Sequence, residues 1–524
     1  MLVMKLPPQP TEKTTNNSEL TLVQMEALLS KKEDIIDKKS DVIISLKQRV
    51  ALLEEYLRLS KIKRFGASSE QTPPEQGNLF NEAEVVAEPE PEESPKVSSD
   101  KKAKTGRKPF SDKLPRVQVF AALSDEEKKD AIDTFFVKVR EELDIIPAKV
   151  RVLEYMQEKA VFINEDNGRL IKAAEVIKHP IPKAMGSVNL MTYVIISKYA
   201  DGLPLYRLEN IIKRYGGELS RATLANWMIA LAKQLQPLIN LMRETQCEGT
   251  IIYADETRLQ VLKEPDKPPT GDKYMWVTLG GLPEQQSVLF EYDPSRKRTV
   301  PLRLLEGFTQ GYLQTDGYAG YNAVVKKNKL IQLGCWDHAR RKFKEAQAAQ
   351  PKNTKKASKA DMALSYINKL YVIERQIKTL SHHERYQVRQ EKSLPILEKL
   401  KTWLATHRPR VVKDGLTGKA MTYLHNQWNK LTVYCTDGQL RISNILAENA
   451  IRPFAVGRKA WLFADTPAGA HASSVHFSLI ETAKLNEIEP YEYINTLLKA
   501  LPYADTVEKL EALLPWNFKK NKLS

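Results

Sequence analysis

The chain has 524 residues, too many for one core, and 42% of them are hydrophobic, enough for several. Lys and Arg number 80 against 65 Asp and Glu, a formal net charge of +15 that points to a polyanionic partner, most often nucleic acid. Cys247, Cys335 and Cys435 are too few and too scattered for a disulfide framework, no CxxC offers a structural zinc site, and no apolar run has the length to span a bilayer, so a reducing, cytoplasmic setting without membrane or zinc is expected.

The first element is a long helix. Leu22, Leu29, Ile36, Ile43, Val50 and Leu57 recur every seven residues, with Met25, Leu46 and Leu53 three residues after members of that row and Lys32 and Lys39 interrupting the second seam. A narrow apolar seam of this kind needs a partner helix, so residues 18–62 are expected to form a coiled coil that joins copies of the chain. Residues 63–115 are rich in Ser, Pro and Glu and end in KKAKTGRK, a composition that cannot bury enough apolar surface to order itself; a linker is expected.

Residues 116–183 read as a small β-rich module. VRVLEYMQ and AVFINED alternate, and Asn167-Gly168 suits a hairpin turn. Residues 184–247 are helical: one helix from Leu205 to Tyr215, a break at Gly216-Gly217, and a second helix from Arg221 that Ser220 can cap. Two helices across a short glycine turn suit a helix-turn-helix-like DNA-binding region, with Arg221 a candidate contact.

The period then changes. TIIYAD, KYMWVTLG, SVLFEYD, GYLQTD and LIQLGCW read as five strands, with helical stretches at 298–306 and 319–327 between the later ones. This is a mixed α/β sheet opening a domain of residues 248–480. A polar, Lys-rich helical stretch at about 345–436 looks like an insertion, and residues 481–524 form a helical tail.

Asp255 and Asp316 are expected to end the first and fourth strands, and Glu448 to lie on a helix after the insertion. Two carboxylates at strand ends and a later glutamate, in this order, is the layout of ribonuclease-H-like phosphoryl-transfer enzymes. Magnesium, or manganese in its place, prefers such hard oxygen ligands, and two ions can stabilise both the attacking and the leaving oxygen of an in-line displacement. Asp255, Asp316 and Glu448 are therefore the candidate catalytic residues and metal ligands. Arg340, Arg341 and Lys342 after the fifth strand, and Arg452, Arg458 and Lys459 after Glu448, are candidate phosphate contacts. Cys335 and His338 make only two soft donors, and no role follows from spacing for Asp337 or Glu256.

At these residues the chain resembles the IS66-type insertion-sequence transposases. The resemblance runs through KIKRFGASSEQ (61–71), KYADGLPLYRLENIIKRYGGELSRATLANW (198–227), YADET (253–257), QTDGYAGYN (314–322), GCWDHARRKF (334–343), LAENAIRPFAVGRKAWLF (446–463) and LLPWNF (513–518). It implies a ribonuclease-H-like catalytic domain, Asp255, Asp316 and Glu448 as its acidic triad, and metal-dependent cleavage and strand transfer of the element's own ends, with small accessory proteins of the same element as partners. A hydrolytic nuclease of the same fold and a non-catalytic DNA-binding derivative are the alternatives. Three departures stand out. The paired cysteines that many members carry around 150–180 are absent, Ser443-Asn444-Ile445 stands where the family often has Asp-Asn-Asn, and Ala460 stands where it often has Asn.

Overall fold

The computed structural model describes residues 22–65, 136–138, 149–163, 169–351 and 357–518. The linker expected at 63–115 lies outside them from residue 66 onward, as does the Asn167-Gly168 turn.

Helix α1 runs unbroken over Leu22–Phe65, three residues past its expected end. Its C-terminal turns rest on the rest of the chain: Arg58 Nε donates to Ala349 O at 2.8 Å, Tyr56 OH to Asp414 O at 3.1 Å, and Glu55 Oε2 accepts from Leu416 N at 3.1 Å. The row Leu29, Ile36, Ile43, Val50 and Leu57 stays exposed. Among the described residues of the next module, β1 (Lys159–Ile163) and β2 (Arg169–Ala173) form an antiparallel pair. Over VRVLEYMQ the expected strand is not seen: residues 150–157 are exposed and join no strand among the described residues.

Three helices follow: α2 (Val188–Tyr199), α3 (Leu205–Arg214) and α4 (Arg221–Cys247). Gly216 has φ +87°, a left-handed turn that glycine adopts without steric cost, and Ser220 Oγ caps α4 by accepting from Thr223 N at 3.2 Å.

The five expected strands form one sheet. They are β3 (Ile251–Leu259), β4 (Lys273–Leu282), β5 (Gln285–Asp293), β6 (Tyr312–Gln314) and β7 (Ile331–Leu333), in the order β5-β4-β3-β6-β7. β3, β4 and β5 form an antiparallel meander; β6 and β7 run parallel to β3. Crossovers through α5 (Thr299–Leu304) and α6 (Asn322–Lys327) cover one face, where Ile252, Trp276, Phe308, Leu313 and Val324 pack. The other face carries α4, α12 (Ile445–Trp461) and α13 (Pro467–Leu485). A bare edge on β5 would leave backbone groups unpaired, and α13 pairs them with side chains. Ser478 Oγ accepts from Phe290 N at 2.8 Å, and Thr482 Oγ1 accepts from Val288 N and donates to Val288 O, both at 3.0 Å. The tail boundary expected at 480 therefore falls inside α13, whose remainder seals the sheet. Helices α14 (Pro490–Ala500) and α15 (Val507–Glu511) follow.

The insertion is helical as expected: α7 (Trp336–Ala348), α8 (Lys359–Gln376), α9 (His382–Val388), α10 (Leu394–His407) and α11 (Leu416–Leu431). It starts earlier than residue 345, because Trp336, Ala339 and Phe343 of α7 already belong to its core with Leu364, Leu400 and Leu424. Among the described residues no helix is long and apolar enough to cross a membrane.

Candidate active site

β3 and β6 run parallel with Tyr253 opposite Gln314 as their last rung. Asp255 and Asp316 each lie two residues beyond that rung, so their carboxylates flank the gap where the two strands part. Asp255 does not end its strand as expected. β3 continues to Leu259, because β4 still pairs with it, Asp255 facing Val277. What ends there is the parallel partner. After Thr315 the chain turns through Gly317 at φ +93°, a left-handed conformation that favours glycine, where a Cβ would also press within 3.1 Å of the Gln427 side chain. The turn is held from both ends: Asp316 Oδ1 accepts from Tyr318 N at 2.8 Å, and Tyr423 OH, from insertion helix α11, donates to Asp316 O at 2.8 Å.

Glu448 sits in the first turn of α12 and is fully buried. The helix is anchored beside β3 by Asn444, whose Nδ2 donates to Ala254 O at 3.0 Å and whose N–H points at Cys335 Sγ at 3.3 Å. Glu448 Oε1 lies 3.8 Å from Cys335 Sγ and 3.4 Å from His338 Nδ1. The His338 contact lacks hydrogen-bond geometry, and Glu448 Oε2 is buried with no hydrogen-bond partner.

The three carboxyls feel one another. Burial first, then the charges of Glu256, Glu448 and Asp316, hold Asp255 well above the usual carboxylate range. Burial, helped by Asp337 and Asp316 and opposed by Arg341, pushes Glu448 up to about 8. Such a cluster is costly unless cations enter it.

Arg296 is a residue that sequence reasoning missed. Its guanidinium bonds Glu256 Oε1, lies 3.9 Å from Asp316 Oδ2 and stacks over the Tyr318 ring at 4.0 Å. Glu256 is thereby occupied, with Tyr321 OH donating to its other oxygen at 2.9 Å. Asp337 is likewise occupied, by Tyr371 OH of α8.

The candidate phosphate contacts divide. Arg340 is buried in the insertion, its Nε donating to Asn368 Oδ1 at 3.2 Å. Arg458 latches α12 to β3 by donating to Arg258 O and to Thr257 Oγ1. Arg341 is partly buried with Nε and Nη2 lacking hydrogen-bond partners, near enough to Glu448 to affect its charge. Arg452 is partly buried; Lys342, Lys459 and Arg221 are exposed. Lys342 Nζ stands 5.0 Å over the Tyr423 ring, the residue that holds the Asp316 turn.

The family model described as "Transposase IS66 family" matches residues 183–472, that of the "IS66 C-terminal element" matches 478–516, and that of the "Transposase C of IS166 homeodomain" matches 52–119. The uncharacterized protein y4qI of Sinorhizobium fredii (strain NBRC 101917 / NGR234) is 30% identical over 503 residues, 91% of each chain. The uncharacterized protein y4hP of the same strain is 30% identical over 399 residues, 73% of this chain and 71% of that one. With its central region and its C-terminal element both matched over these lengths, the chain belongs to the IS66 transposase family.

Proposed function

We propose that this transposase cuts and joins DNA at the ends of its own insertion sequence, with Asp255, Asp316 and Glu448 as the catalytic carboxylates of a ribonuclease-H-like domain. One observation supports the reading: the parallel rung Tyr253–Gln314 puts the partly buried Asp255 beside Asp316, and Asn444 ties the helix that carries Glu448 to the Ala254 carbonyl next to Asp255. The donor set fits hard divalent cations. All three groups offer oxygens, and Glu448 Oε2 is a buried acceptor that no protein group satisfies. Two magnesium or manganese ions, when bound, supply charge stabilisation for the attacking and leaving oxygens of an in-line displacement.

The chain's own residues do the rest. The Gly317 turn and Tyr423 fix Asp316, and Asn444 fixes the start of α12 against the backbone next to Asp255. Exposure supports Lys342, Lys459 and, at the start of α4, Arg221 as the residues that would neutralise phosphates without reading sequence. Arg296, already beside Asp316, can turn its guanidinium to a phosphate that enters the gap. Hydrolysis of one phosphodiester frees a 3′-hydroxyl; that hydroxyl then attacks a target phosphodiester, one bond forming as another breaks. The exposed seam of α1 is read as the surface that pairs two copies. The test is a strand-transfer assay on DNA carrying the element's ends, with the element's accessory proteins supplied and a Glu448→Gln blank. Cleavage with joining supports the proposal, cleavage alone points to a hydrolytic nuclease, and neither activity above the blank overturns it.

A further inference from the structure

We infer that Cys335, His338 and Glu448 form a second kind of metal site, one for a single thiophilic divalent cation such as zinc, distinct in its donors from the oxygen set of the carboxylates. The three donor atoms lie within 4.8 Å of one another. Zinc bound at its usual lengths to sulfur, nitrogen and oxygen in a tetrahedron separates nitrogen from oxygen by about 3.3 Å and sulfur from oxygen by about 3.5 Å. Here His338 Nδ1 and Cys335 Sγ stand 3.4 and 3.8 Å from Glu448 Oε1.

The Cys335 thiol donates a long hydrogen bond to Glu448 Oε1 at 3.8 Å, and a metal would take the place of that proton between sulfur and oxygen. His338 Nδ1 is buried and makes no hydrogen bond, although a carboxylate oxygen is adjacent. Cys335 and His338 lie three residues apart at the start of α7, so one turn presents both. The thiol is fully buried, and backbone N–H groups are directed at its sulfur, that of Asn444 at 3.3 Å and that of His338 beside it. His338 retains some exposure and offers a way in, and three protein ligands leave a fourth position open.

Along the sequence Cys335 and His338 have no second pair of soft donors nearby, which argues against zinc. The third donor comes from 113 residues away, on another helix. Glu448 is shared with the carboxylate set, so the proposal touches that reading but does not need it.

The experiment is a titration of the full chain, stripped of metal, with Co2+ as the probe, reading the near-ultraviolet charge-transfer band that only a thiolate–cobalt bond produces. A band saturating at one Co2+ per chain, displaced by Zn2+, is expected. It should vanish in Cys335→Ser, weaken at least about tenfold in apparent affinity in His338→Gln, and persist in Cys247→Ser. Asp255→Asn should leave it unchanged, which separates this site from any failure of the catalytic reading. Thermal unfolding of each variant establishes that it is folded. No band in the parent protein, or a band that survives in folded Cys335→Ser, overturns the inference.

Discussion

Asn444 donates its side-chain amide to the carbonyl of Ala254, so the helix that carries Glu448 begins on the backbone of the residue before Asp255. The contact joins residues 190 apart and is fully buried. Replacing Asn444 by Ala should cost about 1–3 kcal/mol, the penalty for orphaning a buried acceptor. It should also lower cleavage by about 10- to 100-fold, the usual effect of losing a group that orients a ligand. Denaturant unfolding and an end-cleavage assay check both. A large stability loss with unchanged cleavage in the remaining folded protein would make Asn444 structural only.

The acidic cluster predicts opposite effects on activity and stability. Asp255→Asn and Glu448→Gln should each abolish cleavage while leaving the metal-free protein as stable as the parent or more so, because each removes an ionisable group, partly or fully buried, whose charged form its neighbours disfavour. Thermal unfolding in the presence of a chelator reads this. A marked drop in stability in both variants would mean that the carboxyls are held for structure.

Much of this arrangement was legible in the sequence, and the exceptions share a physical cause. Alternation and helical periods are local, so the five strands, the α3–α4 break and the helical insertion could be read directly, and the order of carboxylates pointed to the candidate site. Arg296, Asn444 and the Cys335–His338–Glu448 group could not be read, because their partners lie 40, 190 and 113 residues away. Arg340 and Arg458 show the converse. Their charge suggested a surface role, yet tertiary contacts turn both toward the protein. The reach of β3 past Asp255 depended on β4 outlasting β6, which no single-strand pattern reports.

On α1, Ile36 and Ile43 are 60% and 50% exposed although they lie in the seven-residue apolar row. If this seam pairs two copies as proposed, Lys at both positions would place charge in it and should dissociate them. Sedimentation velocity measures it. Sedimentation identical to that of an oligomeric parent would show that copies meet elsewhere.

His476 on α13 supplies a pH dependence. Burial holds the imidazole down to about 4, with one ring nitrogen 2.9 Å from Met228 O and the other without a partner. The folded value is below the unfolded value of about 6.5, so between them the unfolded state binds more protons and stability rises with pH. The contribution is of order 3 kcal/mol, fully present above about pH 6.5 and lost as pH falls through the window. Unfolding free energy measured from pH 4 to 7 should therefore climb less steeply in His476→Gln than in the parent. Parallel curves would show that the ring is not held neutral.

The last prediction concerns Ile445, which opens α12 where the family often has Asn. It stands three residues before Glu448, so the two side chains lie on adjoining parts of one helix face. Ile445 is partly exposed, which leaves room for a polar group, and Glu448 Oε2 lacks a hydrogen-bond partner. Isoleucine can offer that carboxylate nothing. Asparagine there can donate a hydrogen bond to it directly or through a water, restricting its orientation before cations arrive. Loss of such a partner ordinarily lowers metal affinity or activity about 10- to 100-fold. The present chain should therefore be active but demand more metal, and Ile445→Asn should shift the magnesium dependence of end cleavage to lower concentration, with the gap closing at high magnesium or in manganese. If the two proteins cleave equally at every metal concentration, position 445 does not act on Glu448.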